Sequence, residues 1–302
     1  MRSRGSVKNP TSGPTNAVGA PADSPAARVL LRIVDAGMAG AIFVVPMIMG
    51  GRQAPGRLAL TSIAVVFAVA WLARQCVLAR GIWRRTAADG LLVAVGALLV
   101  AQLLPLPPAL LDHLAPRTSE ILPLWSADVD TTPGLGVWSQ VSLTPSATRG
   151  ALSVFLAYGL LFLVSVQRIE TLADVERLLR WCALSAVLMA CFALVQLVAS
   201  NGKFFWFYRP VQGHTWAVAT GAFTNCNHFA HFLALGIGPL IWWVQQGFGR
   251  RAREPGFQFG RSARRSSRSE MAGNVRVIAL GIVLFAVLLS LSRGGTLATL
   301  LA

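Results

Sequence analysis

The sequence predicts an all-α, polytopic transmembrane helix bundle, on three observations. Hydrophobic residues make up 54% of the 302-residue chain and charged residues only 13%, about half the proportion usual in a soluble domain. The apolar residues are gathered into runs approaching the roughly 20 needed to cross a hydrocarbon core. The runs are continuous and not alternating, which excludes barrel strands and leaves helices as the structure that satisfies its own backbone in lipid.

Met1–Ala27 is rich in Ser, Pro, Gly and Ala and reads as a disordered cytoplasmic tail. The transmembrane domain then occupies residues 28–302. The first apolar run follows Arg28 and Arg32 and is too long for the core of a cleavable signal. Complete spans are expected at Leu30–Gly50, Leu58–Leu78, Leu91–Leu106, Ala151–Val166, Trp181–Ala199, Phe223–Val244 and Val275–Leu291. That is about seven. An eighth run begins at Thr296 and is too short to cross at Ala302, so further helices are expected beyond it.

Two segments between the runs stand out. Pro107–Ser146 is the long outer loop, where Leu110, Leu111 and Leu114 form a short amphipathic stretch suited to a membrane surface. At its end Thr144-Pro145 reads as a helix start, an N-cap hydroxyl followed by proline in the first turn. Gly247–Asn274 is rich in Arg, Ser and Gly and reads as a flexible cytoplasmic loop near anionic headgroups.

The net charge is +15, and Lys8 and Lys203 are the only lysines among 27 basic residues. Such a balance suits a nucleic-acid binder, but here the charges stand at the ends of apolar runs, so no nucleic-acid partner is expected. Arg74, Arg80, Arg84 and Arg85 fall in one intervening segment, and Arg168, Arg177 and Arg180 in another. Arg250, Arg251, Arg253, Arg261, Arg264, Arg265 and Arg268 fall in a third. The alternate segments hold only Arg52, Arg57, Arg117, Arg149, Lys203, Arg209 and Arg293. This bias puts the N-terminus in the cytoplasm. Asp35 lies toward the cytoplasmic end beside Arg32 and reads as half of a structural pair. Cys76, Cys182, Cys191 and Cys226 show no metal-ligand spacing and no disulfide framework, and read as reduced packing residues.

Three polar constellations lie at the outer ends of the runs. The first is Asn225, Asn227, His228 and His231, spaced so that Asn225 and His228, and Asn227 and His231, share helix faces. Polar groups there are costly unless they meet a cavity or a neighbouring helix. His228 and His231 lack a third partner for a metal. The second is Ser290-Leu291-Ser292-Arg293-Gly294-Gly295. Arg293 could reach the interface by snorkelling, but two glycines beside it allow close backbone approach to a ligand, and arginine suits bidentate phosphate binding. The third is Arg149 with Lys203, Arg209 and His214, a possible basic rim whose members each also read as interfacial anchors. Phe204, Phe205, Trp206, Phe207 and Tyr208 read as an aromatic interface belt.

Asn225-x-Asn227-His228-Phe229-Ala230, followed by Leu288-Leu289-Ser290-Leu291-Ser292-Arg293-Gly294-Gly295, resembles the O-antigen ligase and polymerase superfamily. Leu104-Pro105-Leu106-Pro107-Pro108 and Ser142-Leu143-Thr144-Pro145 are similar to members with this layout, so the resemblance runs from about Leu91 onward. Two positions differ: Cys226 stands where many relatives have Arg, and His231 where a small residue is common. The resemblance implies a glycosyltransferase of the bacterial inner membrane. Its donor would be a polyprenyl-diphosphate-linked glycan, its acceptor a saccharide or lipid A core, its surroundings membrane lipids. It implies no metal and no cofactor, and a diphosphate held by Arg293, with Asn225, Asn227, His228, Arg149 and Arg209 as further substrate-binding residues. No general base is evident. A transporter or flippase for lipid-linked oligosaccharide and a non-catalytic scaffold are the other readings. A transporter would show repeated halves and broken helices near mid-membrane, whereas these polar groups crowd helix ends.

Overall fold

The computed structural model describes residues 24–79, 83–122, 138–208, 218–252 and 262–301. The helices are α1 (Pro25–Met47), α2 (Ala54–Val77), α3 (Ala87–Ala101), α4 (Pro108–Leu114) and α5 (Thr118–Ile121). Then follow α6 (Pro145–Arg168), α7 (Leu172–Val198), α8 (Cys226–Ala252), α9 (Ser262–Leu289) and α10 (Arg293–Leu301). Among the described residues the only β-type pairing is an isolated bridge between Phe204 and Tyr208.

Each predicted run is a helix, but the count of spans is smaller by strict criteria. Among the described residues, α1, α2, α6 and α7 are long and apolar enough to cross a membrane, as in a multi-pass membrane protein. The other three fall short for separate reasons. α3 has 15 residues, a rise of about 22 Å against a core of about 30 Å. The apolar part of α9 is confined to Gly273–Leu289. α8 has the length but carries Asn227, His228 and His231 near one end and Gln245 and Gln246 near the other.

Several boundaries move. α1 begins at Pro25, inside the stretch expected to be tail. Ser24 caps it, its hydroxyl accepting from Ala27 N at 3.1 Å. The remainder of the predicted tail, residues 1–23, lies outside the described residues. The segment 247–274, expected as a flexible loop, is largely helical. α8 continues to Ala252 and α9 starts at Ser262, with 253–261 outside the described residues. Arg, Ala and Met support helix well, and residues 262–274 contain no proline to break it. In the loop expected to be outer, Leu111 is buried while Leu110 and Leu114 are exposed, and residues 123–137 are not described. Thr144 precedes α6 as expected, but its hydroxyl makes no capping bond. Ser142 folds back on this helix start: its Oγ lies 2.8 Å from Thr148 Oγ1 and accepts from Thr144 N.

Two packed regions hold the bundle. In the first, α7 presents Ala183, Ala186, Ala190 and Ala193 along one stripe. α8 inserts Phe229, Leu233, Ile237 and Leu240, and α9 adds Val283, Ala286 and Val287. The small residues set the helix spacing, since a Cβ on Gly236 of α8 would overlap Ala186. Close packing of this kind drives helix association where lipid removes the hydrophobic difference. In the second region Val34, Met38, Phe67, Trp71 and Val164 join α1, α2 and α6.

One end of the bundle is ionic. Arg168 donates to Asp35 through Nε at 2.8 Å and Nη2 at 3.1 Å, and to Asp174 through Nη1 at 3.0 Å. Arg177 bridges the same two carboxylates at 3.3 and 3.0 Å. Asp35 is therefore structural, as expected, but its partners come from α6 and α7 and not from Arg32: helix packing brings the distant arginines closer than the local one. Glu176 receives Arg180 and Gln246 here, tying α7 to α8. Gln167 clasps the backbone of Arg84 with two 2.9 Å bonds. Arg84, Arg168, Arg177 and Arg180, four of the arginines that the charge bias groups on one side, thus gather at this end, and the polar motifs lie away from it.

Candidate functional site

At the end opposite the ion pairs, the chain leaves α1 in a tight 3-10 turn, Met49–Gly51. Met49, Gly50 and Gly51 have φ of 49°, 67° and 74°. Left-handed backbone costs about 1–2 kcal/mol per non-glycine residue, so the two glycines lower the cost of the turn and Met49 bears it. Gly50 must also stay bare, because a Cβ there would stand 2.5 Å from the Phe223 ring. Phe223 belongs to the loop that enters α8. That loop is seated by Ala219 N on Leu289 O at 3.0 Å and Ala222 N on Met189 Sδ at 3.4 Å. With its carboxamide turned to satisfy both neighbours, Gln196 donates to Gly221 O at 2.8 Å and accepts from Phe205 N at 2.9 Å.

A cavity of about 300 Å³ opens between this turn and α8. Met49, Gly50 and Arg52 line it from the turn, Phe223 and Thr224 from the loop, and His228, His231, Phe232 and Leu235 from α8. The α8 residues recur at i, i+3, i+4 and i+7, so they occupy one helix face. Among the described residues the polar lining is one guanidinium, two imidazoles and a hydroxyl, with no carboxylate, against an apolar wall. Such a lining suits an anion attached to an apolar group.

The predicted site residues divide. His228 lines the cavity together with His231, its neighbour three residues on, and not with Asn225. Asn225 is a cap: its Oδ1 accepts from Asn227 N at 2.8 Å and its carbonyl from Phe229 N at 3.2 Å, satisfying donors of the first turn of α8. Asn227 is exposed and stands outside the lining. The face expected for Asn225 and His228 is therefore corrected, because Asn225 precedes the helix and does not follow its periodicity, whereas Asn227 and His231 both lie in α8.

Arg293 opens α10 and is exposed, outside the cavity wall. Its neighbour Gly294 is beside the cavity, since a Cβ there would stand 3.6 Å from His231 Nε2. Gly295 packs so closely on α8 that a Cβ would overlap Ala230. Ser292 caps α10, its Oγ accepting from Gly295 N at 3.0 Å. The Asn-His and Ser-Arg-Gly-Gly motifs are thus joined through His231. Of the third constellation, Arg149 is exposed on α6, which packs on α2 and α3, and Arg209 and His214 lie outside the described residues. Lys203 sits beside the aromatic turn, its N–H held by Asn201 Oδ1 at 3.0 Å.

Sequence reasoning missed Arg52 as a site residue. Gly50-Gly51-Arg52 is the reverse of Arg293-Gly294-Gly295, and that pairing of two glycines with an outer arginine was the available signal. Among the described residues no group of three or more His, Cys, Asp or Glu gathers to hold a metal. No known family, curated protein or solved structure matches the chain.

Proposed function

We propose that the chain belongs to a glycan transferase of the O-antigen ligase and polymerase kind, set in the bacterial inner membrane with its N-terminus in the cytoplasm. It would move a glycan from a polyprenyl-diphosphate carrier to a saccharide or lipid A core acceptor at the periplasmic face. The observation that carries this reading is the cavity, whose polar lining of Arg52, His228, His231 and Thr224 adjoins apolar Phe232 and Leu235. It stands at the end away from the arginine-rich segments, the periplasmic end if the positive-inside bias holds. On this reading α3, α8 and α9 also cross the membrane, giving about seven spans.

The chemistry is a substitution at the anomeric carbon. An acceptor hydroxyl forms the new carbon–oxygen bond while the bond to the diphosphate oxygen breaks. The electron pair leaves on the carrier diphosphate, and cationic donors stabilise it. One such donor is commonly worth about 10²–10³ in rate. The hydroxyl proton goes to an imidazole, His228 or His231, the groups in the lining able to take it. On this reading Arg293 meets a diphosphate that extends from the cavity, a role supported by its neighbour Gly294 lying beside His231. The flippase reading has less support, because the polar groups lie at one end of the bundle and not near its middle.

The test is donor turnover by the intact purified protein, with thermal stability followed in parallel. Arg293→Lys should be impaired, because lysine lacks the bidentate fork, and Arg293→Ala more so. Wild-type turnover in Arg293→Ala would make Arg293 an interface anchor. In cells, deletion of the gene should leave either unattached lipid-linked polymer or single repeat units. Unchanged surface glycan would end the reading.

A further inference from the structure

The packed helices fall into two groups in chain order. α1, α2, α3 and α6 form one and α7, α8, α9 and α10 the other, each with its own core. The chain passes from the first group to the second at residues 169–171, between α6 and α7. That crossing lies at the ionic end, where Asp35 of α1 takes Arg168 of α6 and Arg177 of α7. The cavity lies on the same seam at the opposite end. Met49, Gly50 and Arg52 wall it from the first group, and Phe223, His228 and His231 from the second.

Between these ends α1 faces α7, and a single side chain bonds across: Ser185 Oγ donates to Ile42 O at 2.8 Å. The reason lies in α1. Pro46 stands four residues after Ile42 and has no N–H, so the helix leaves the Ile42 carbonyl without its i+4 donor. Ser185 is 4% exposed, in a seam otherwise filled by Leu178, Trp181 and Met47. Its hydroxyl satisfies an acceptor that would be costly to leave bare among them. From Ser185 toward the cavity no hydrogen bond or ion pair joins the two groups among the described residues. The contacts there are Met47 against the second core and the Phe223 ring against Gly50.

We propose that this seam is a hinge. The two groups turn about the ionic end, the bond from Ser185 to Ile42 O is the catch that holds them together, and the cavity is the part that widens when the catch opens. Asp35 precedes Ile42 by seven residues and Met49 by fourteen, about 10 and 21 Å along α1. A turn of about 10° at Asp35 therefore moves Ile42 by about 2 Å and Met49 by about 4 Å. That breaks a 2.8 Å hydrogen bond and slides a ring from a bare glycine, while the bonds of Asp35, at the pivot, stay in place. The hinge goes beyond the proposed function and holds for any ligand of the cavity.

The test is pulsed electron resonance between spin labels on the intact protein in nanodiscs, with Cys76, Cys182, Cys191 and Cys226 replaced by alanine. Arg52→Cys with Leu235→Cys spans the mouth. Val29→Cys with Leu172→Cys spans the seam at the ionic end, and Leu235→Cys with Leu288→Cys stays within the second group; all five positions are exposed. Ser185→Ala should lengthen or broaden the mouth distance by about 4 Å and leave the other two distances unchanged. Pro46→Ala gives Ile42 O a donor in its own helix and should do the same without altering α7, so it carries the test if Ser185→Ala fails to fold. A mouth distance that neither variant changes, or one that changes together with the distance inside the second group, overturns the hinge.

Discussion

Removing the Asp35 carboxylate charge should loosen the ionic end of the bundle. In Asp35→Asn, Arg168 loses the charged acceptor that takes its bonds at 2.8 and 3.1 Å, and Arg177 loses one at 3.3 Å. The Arg168 side chain is only 11% exposed and that of Asp35 24%, so water replaces these bonds poorly. A hydrogen bond to a charged group is worth about 1.5–3 kcal/mol, and stranding one partner of a buried pair costs about 3–5 kcal/mol. Arg168 keeps Asp174 at 3.0 Å, which lowers the expected loss to about 2–3 kcal/mol. At about 2–4 °C per kcal/mol for a chain of this order, the melting temperature in detergent should fall by roughly 5–10 °C. The double variant Asp35→Leu with Arg168→Met should recover most of that, since an apolar replacement strands no charge. A melting temperature for Asp35→Asn within a degree of wild type, or a double variant worse than the single one, would refute the account of a desolvated network.

Other outcomes follow from the opposite end. Gly50→Ala should cost about 1–2 kcal/mol for left-handed backbone and also push Phe223 into the cavity, so diphosphate binding should fall more than thermal stability; equal losses would mean the turn merely unfolds. Asn225→Ala should lower stability by about 1 kcal/mol, the usual cost of an N-cap, whereas His228→Ala should spare stability and reduce glycan transfer. If Asn225→Ala melts like wild type, its two hydrogen bonds do not anchor α8. A reporter fused after Arg265 should stay cytoplasmic and one near Asp128 should be exported; periplasmic activity after Arg265 would invert the placement of the cavity.

The helices were legible because apolar continuity is a direct mark of a buried or membrane helix, and every predicted run falls largely within a helix. Their ends were less so. Helix propensity carries α8 to Ala252 and starts α9 at Ser262, although arginine and serine suggested a loop by polarity alone. Of the cavity lining, His228 was readable from local spacing, whereas Arg293 stands outside that lining. Asn225 was misplaced because a cap sits one residue outside the helical period. Arg52 was overlooked because its partners on α8 are more than 170 residues away in the chain, a separation that no local pattern encodes. The same holds for Asp35, whose nearest arginine in sequence is not the one it binds.

α3 illustrates how attachment shapes motion. It packs chiefly on α6, yet it is fastened at both ends. Before its start, Gln167 grips the Arg84 peptide. Past its end, Gln102 O accepts from Ser142 N at 3.1 Å, Leu103 O from Gln140 Nε2 at 3.0 Å, and Leu106 N donates to Ser139 O at 2.7 Å. A rod pinned at both tips resists swinging outward, because that would break several hydrogen bonds together. α3 is therefore a strut tied at both tips, kept against α6 by hydrogen bonds at its ends as well as by the packing along its length.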